Sequence, residues 1–181
     1  MQVFGRRRWL QLMLSAAVPM PRRVAALASR QHGIVDLSEL LAAGAPGATI
    51  NLWARTGHLH RVFPSVYSVV PPALLTQEAR WLAAVKACGP RSFLSHGPAG
   101  QLQGILGRSH RYALDVSTMN RRTASPRGIL THRPRRLELR DTTTCLGIPT
   151  TTATRVVWDL AYTSPRATVR FATTATTAPR E

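Results

Sequence analysis

Ser95 and His96 stand side by side, a hydroxyl and an imidazole, the residue types of a nucleophile and its base. Adjacent side chains rarely face each other, and no third group that would orient the imidazole is identifiable, so the pair reads as a structural histidine. His58 and His60 lie two residues apart with no further ligand beside them, while His32 and His110 stand alone. No set at metal-ligand spacing emerges from them. Cys88 and Cys145 have neither CxxC spacing nor a neighbouring histidine pair, and read as reduced, partly buried thiols. The 8 acidic residues are scattered, without the paired carboxylates of a metal-dependent nuclease. No phosphate-cradling or dinucleotide-type glycine loop occurs. The expectation is a protein without catalytic residues, bound metal or cofactor.

Charge is the stronger signal. The 181-residue chain carries 24 basic against 8 acidic residues, a net charge of +16. Such an excess favours a polyanionic partner, nucleic acid before an anionic membrane surface. Lys86 is the single lysine. A GC-rich genome would produce arginine over lysine by codon bias, but that bias does not explain the shortage of acids. The apolar fraction of 44% suffices for a packed core. No segment reaches the roughly 18 apolar residues of a membrane span, so no membrane partner is expected.

The elements that position these residues begin near Arg22. Val24, Ala25, Leu27 and Ala28 recur at helical spacing, and Gly33 can end that helix. In "DLSELLAAG", Asp36 stands three before Glu39, the spacing of a capping box, with Leu37, Leu40 and Leu41 as the apolar face and Gly44 as the stop. "INLWARTGHLHRVFPSVYSVV" then changes character at Gly57. Ile50, Trp53 and Ala54 share a helix face, and the β-branched and aromatic remainder is interrupted at Phe63-Pro64-Ser65, as in a hairpin. Three short helices followed by a basic hairpin form a winged helix-turn-helix over 22–71. On its third helix Thr49, Asn51 and Arg55 point outward, toward base edges and phosphates of double-stranded DNA. His58, His60 and Arg61 are the wing's DNA-binding candidates, with His60 and Arg61 beside the backbone or the minor groove.

Pro71 and Pro72 read as a hinge into a small mixed α/β domain over 72–162. Thr76 caps a helix with Glu78 in its first turn and Trp81, Leu82 and Val85 as its apolar face. Phe93-Leu94 reads as extended, and a weak helix runs through Leu102, Ile105 and Leu106, with Gly100 and Gly104 against it. Residues 111–140 read as short strands, among them "YALDVST", "GILTHR" and "LELR". Seven arginines and one acid, Glu138, lie between Arg121 and Arg140. Arg121, Arg122, Arg133, Arg135 and Arg136 therefore offer a phosphate or protein-partner contact, with a solvated surface the equal alternative. "TTTATRVVWDLA" reads as a helix capped by Thr151 or Thr152, with Val156, Val157, Leu160 and Ala161 buried. Residues 163–181, Thr/Ala-biased, read as an unstructured tail. Residues 1–21 read as an N-terminal extension that mimics a secretory signal. Met20 is the preferred true start, which implies a cytoplasmic protein. The fold class is α+β.

In order, "ALASRQHGIVDLSELLAAG", "INLWARTGHLHRVFPSVYSVV", "TQEARWLAAVKACGPRSFLSHGPA" and "LGIPTTTATRVVWDLA" resemble the AbiEi-type antitoxins of type IV toxin–antitoxin systems. The resemblance covers about residues 22 to 161. It implies a winged helix that binds its own promoter, with the recognition helix at Ala48 to Thr56 and the wing at His58 to Val70. A second domain is implied to counteract a nucleotidyltransferase-type toxin. Where this chain has Ser65, the family's wing turn commonly carries glycine, and the chain ends where many relatives continue into further helices and a nuclease-like domain. The alternative expectation is thus a truncated, non-acting remnant after a frame disruption.

Overall fold

A computed structural model of the chain describes residues 20–108, 110, 112–120 and 125–163. They divide in sequence between Leu75 and Thr76 into two compact units. The expected N-terminal extension and C-terminal tail fall almost wholly outside the described residues, as do Arg121 and Arg122.

In the first unit, helix α1 (Arg22–Arg30), strand β1 (Ile34–Asp36), α2 (Leu37–Ala42), α3 (Gly47–Thr56), β2 (His60–Phe63) and β3 (Val66–Ser68) follow one another. The strands form an antiparallel sheet in the order β1-β3-β2. β1 escaped the sequence reading, because Ile34 and Val35 between Gly33 and Asp36 are too few to show a period. The capping box at α2 is present: Glu39 N–H donates to Asp36 Oδ1 at 3.0 Å, and Asp36 N–H to Glu39 Oε2 at 2.9 Å. Val24, Ala28, Val35, Leu40, Ala45, Ile50, Trp53, Leu59 and Tyr67 make the core. Leu41, expected inside, is 51% exposed, and Ala25 and Ala54 are exposed as well. In each short helix one narrow stripe meets the small core, so residues at its margin stay in water.

The second unit has α4 (Gln77–Ala87), β4 (Ser92–Leu94), α5 (His96–Leu102), β5 (Leu114–Thr118), β6 (Ile129–His132), β7 (Thr142–Cys145), β8 (Ile148–Thr151) and α6 (Ala153–Thr163). Its five strands are ordered β6-β5-β4-β8-β7. β5 and β6 are parallel, as are β4 and β8, whereas β4–β5 and β7–β8 are antiparallel. α4 packs on the central strands β4 and β8, and α5 packs on α6 and β5. Thr76 caps α4 by accepting the Ala79 N–H at 3.1 Å, and Trp81 through Val85 are all buried. Cys88 and Cys145 are free thiols, and burial pushes the Cys88 thiol up to about 11, partly opposed by Arg133.

Four local expectations change here. "LELR" forms a 3-10 turn at Leu139–Asp141 rather than a strand, because Asp141 and Glu138 cap each other across it. The helix expected through Leu102, Ile105 and Leu106 ends at Leu102, where Gly104 takes φ +73°. Thr151 belongs to β8, not to the cap of α6. Val157 is 41% exposed and Ala161 is exposed too, while Asp159 is buried beside Val156 and Leu160. An ion pair explains this polar residue in an apolar stripe: Arg155 Nε donates to Asp159 Oδ1 at 2.8 Å.

Candidate functional site

In the first unit, the passage from α3 into the hairpin is fixed by one residue. The Trp53 side chain is buried, and its carbonyl accepts the N–H groups of Gly57, His58 at 2.9 Å and Leu59 at 3.1 Å. Gly57, at φ +80°, supplies the left-handed turn that permits this. Ile50 and Trp53 point inward, so Asn51 and Arg55, one helical turn apart, share the exposed face of α3. Thr49 is half-buried at the margin of that face. His58 is exposed at the start of the wing and its Nδ1 lies 2.9 Å from Thr56 Oγ1; His60 is half-buried on β2. Arg61 is exposed and pairs across the hairpin with Tyr67. Its Nη2 donates to the Tyr67 hydroxyl at 3.4 Å, and its guanidinium sits 5.8 Å from the ring centroid.

The wing turns at Pro64-Ser65, and Ser65 holds φ +60°. The Ser65 carbonyl accepts the Leu37 N–H at 2.8 Å, which fastens the turn to α2. Helices α1 to α3 with a three-stranded sheet, whose last two strands β2 and β3 form a basic hairpin directly after α3, constitute a winged helix-turn-helix.

Residues 22–70 match the family model of the transcriptional regulator, AbiEi antitoxin. No curated protein matches the chain. The AbiEi-type match thus spans the three helices, the sheet and the wing. Among the described residues no helix is long and apolar enough to cross a membrane.

Beyond the AbiEi-type segment, the second unit gathers polar groups that sequence spacing had left apart. His96, Asp115 and His132 present ligand-type atoms all within 4.8 Å of one another. His132 Nε2 lies 2.8 Å from Asp115 Oδ1, and the His96 and His132 rings stack at 3.8 Å between centroids, 23° from parallel. A metal ion lies in the plane of each imidazole it binds, so one of two rings stacked this way would have to turn before both could hold one ion. Adjacent Ser95 and His96 do meet, contrary to expectation: Ser95 Oγ lies 3.0 Å from His96 Nδ1. Ser95 is fully buried, however, which withholds its hydroxyl from any bulky substrate. Burial holds the His96 pKa below the usual value; His132 and Arg155 add to the fall, and Asp159 and Asp115 oppose it.

His96 and His132 form one wall of an open cleft of about 740 Å³. Arg133, Arg135 and Arg136, in the segment after β6, line it, as do Arg155, Trp158, Asp159 and Tyr162 from α6. Arg136 is tied to Glu138 at 2.5 Å, and Arg155 to Asp159. The sequence reading named three of these arginines and missed Asp115, His132, Arg155, Trp158 and Asp159. One sign was available. An acid four residues after an arginine, inside the apolar stripe of α6, marks an internal ion pair.

Proposed function

We propose that the chain is a sequence-specific, DNA-binding transcriptional regulator that represses its own promoter as an AbiEi-type antitoxin. In this reading α3 enters the major groove of double-stranded DNA. Asn51 and Arg55 meet base edges there, Thr49 approaches the flanking phosphate, and His58, His60 and Arg61 contact the backbone from the wing. The observation that carries the reading is the two-sidedness of α3. Ile50 and Trp53 anchor one face in the core while Asn51 and Arg55 stand exposed on the other, within the segment that matches the regulator family.

The net charge of +16 supports the same partner. Action in the cytoplasm, where the promoter is, follows from this role. The second unit, residues 72–162 with the winged helix at 22–71, is proposed to oppose a nucleotidyltransferase-type toxin of the same system. The decisive experiment is a gel shift with DNA from upstream of the gene against random DNA of equal length, at two salt concentrations. Preference for the upstream DNA is expected, with affinity falling steeply as salt rises. Equal binding to both DNAs would defeat the claim of a specific regulator.

A further inference from the structure

The geometry points to a nucleotide-binding site in the cleft of the second unit, with phosphates held by Arg133 and Arg135 and the base stacked on Trp158 and Tyr162. This site goes beyond the DNA-binding reading and stands on the second unit alone.

Three observations converge on it. First, Arg133 and Arg135 are both exposed and line the cleft. Arg135 has no acidic partner among the described residues, so it offers a planar, forked donor suited to phosphate oxygens. Second, Trp158 and Tyr162 stand four apart on α6, 72% and 88% exposed, and line the same cleft. Large aromatic faces in water beside guanidinium groups are the elements from which sequence-tolerant base-stacking sites are built. Third, Asp159 is only 7% exposed, yet its Oδ2 accepts no hydrogen bond, while Oδ1 is taken by Arg155. A buried carboxylate oxygen without a donor is costly. Asp159 lines the cleft, so a small turn of its side chain would bring that oxygen to a base amino group, a ring N–H or a ribose hydroxyl, whereas inorganic phosphate at neutral pH offers far fewer donors.

Size and charge agree with this ligand class. A volume of about 740 Å³ holds a nucleoside phosphate with solvent to spare. The His96–His132 stack forms one wall of the cleft beside the arginines. The combination of two arginines, two exposed aromatic rings and one unsatisfied acceptor selects a nucleotide over a simple anion.

The test is calorimetric titration of the full chain with ATP, GTP, CTP and UTP, and separately with tripolyphosphate. At least one nucleotide is expected to bind ten-fold or more tightly than tripolyphosphate. Trp158→Ala should weaken that nucleotide ten-fold and Trp158→Phe should restore most of it, since the exposed side chain can change without disturbing the core. Arg135→Ala should weaken both nucleotide and tripolyphosphate. Tripolyphosphate binding as tightly as every nucleotide would reduce the cleft to a simple anion trap and overturn the proposal. Nucleotide binding untouched by Trp158→Ala would place the ligand elsewhere, on the winged helix for example, and would overturn it equally. No binding at millimolar nucleotide would also overturn it. None of these outcomes bears on recognition of promoter DNA by α3.

Discussion

His96 and His132 lie ring against ring, 3.8 Å between centroids, and His132 Nε2 lies 2.8 Å from the Asp115 carboxylate. Two stacked imidazolium ions would repel each other at this distance. The arrangement is stable when His96 is neutral, in keeping with its burial and lowered pKa.

A pH dependence of stability follows. In the unfolded chain His96 takes up a proton near its usual value of about 6.5, while in the folded chain it resists until lower pH. Its contribution is therefore complete above about pH 6.5 and is lost as the pH falls through the window between the unfolded and the lowered folded value. Thermal melts of the full chain from pH 7.5 to 5 should show the second unit's midpoint dropping below pH 6.5. His96→Asn, whose residue type tolerates the φ of +53° found here, should flatten that drop while lowering the midpoint at pH 7. A slope unchanged in the variant would assign the effect to other groups.

Arg55 and Arg61 should separate in a binding assay. Arg55→Ala, on the exposed face of α3, should cost about 1–3 kcal/mol on the preferred DNA and less on random DNA. Arg61→Ala should weaken both DNAs alike and lower the slope of log affinity against log salt by about one, because a phosphate contact releases counterions whatever the sequence. Fluorescence anisotropy over a salt series distinguishes the two patterns.

Ser65 holds a left-handed backbone, φ +60°, at the tip of the wing, and its side chain is exposed. Ser65→Gly removes the Cβ that makes this conformation unfavourable, and the bond from Leu37 N–H to its carbonyl remains. The first unit should gain about 1 kcal/mol, read as a raised denaturation midpoint with an unchanged dependence on denaturant. A loss of stability would mean that the serine hydroxyl has a role in the turn.

Gly100 and Gly47 should respond in opposite directions to alanine. A Cβ on Gly100 would lie 2.7 Å from Leu106 Cδ1 and 3.0 Å from its Cγ, with Val156 Cγ1 at 3.4 Å. Leu106 cannot easily withdraw, since its N–H is bonded to the Gly100 carbonyl at 3.0 Å. Gly100→Ala should cost about 1–2 kcal/mol, the overpacking term outweighing the gain in helix propensity. Gly47 has open space around it, so Gly47→Ala should stabilise by about 0.5 kcal/mol. Urea titrations of the two variants give both signs.

The same glycines show where the sequence stops being readable. Gly100 weakened the expectation of a helix when judged by propensity. In the structure it is a contact requirement, set by Leu106 and Val156, which no local window contains. The winged helix was legible because its determinants are local: the Asp36–Glu39 spacing, the Ile50–Trp53 face and Gly57 lie within a few residues of their effects. The cluster of the second unit was not, because His96, Asp115 and His132 belong to α5, β5 and β6, and only the β5–β6 pairing together with the packing of α5 on β5 brings them together. The hairpin of β7 and β8 was hidden for a related reason. "TTTC" and "IPTT" carry few large apolar residues; β8 is buried because it lies beside β4, and β7 is the edge strand beyond it.

Sheet order also sets a sequence of events during synthesis. β4 and β8 are adjacent parallel strands, with Leu94 opposite Thr150, and the Thr150 hydroxyl donates to the Leu94 carbonyl at 3.1 Å. The centre of this sheet therefore cannot close until the chain has been made past Thr150, whereas every strand of the first unit is present by Ser68. A nascent chain emerging from the ribosome can fold its winged helix while β4 still lacks a neighbour. The winged helix can thus be complete before the second unit's sheet closes, and a stall between residues 94 and 150 would leave a folded first unit joined to an open sheet edge.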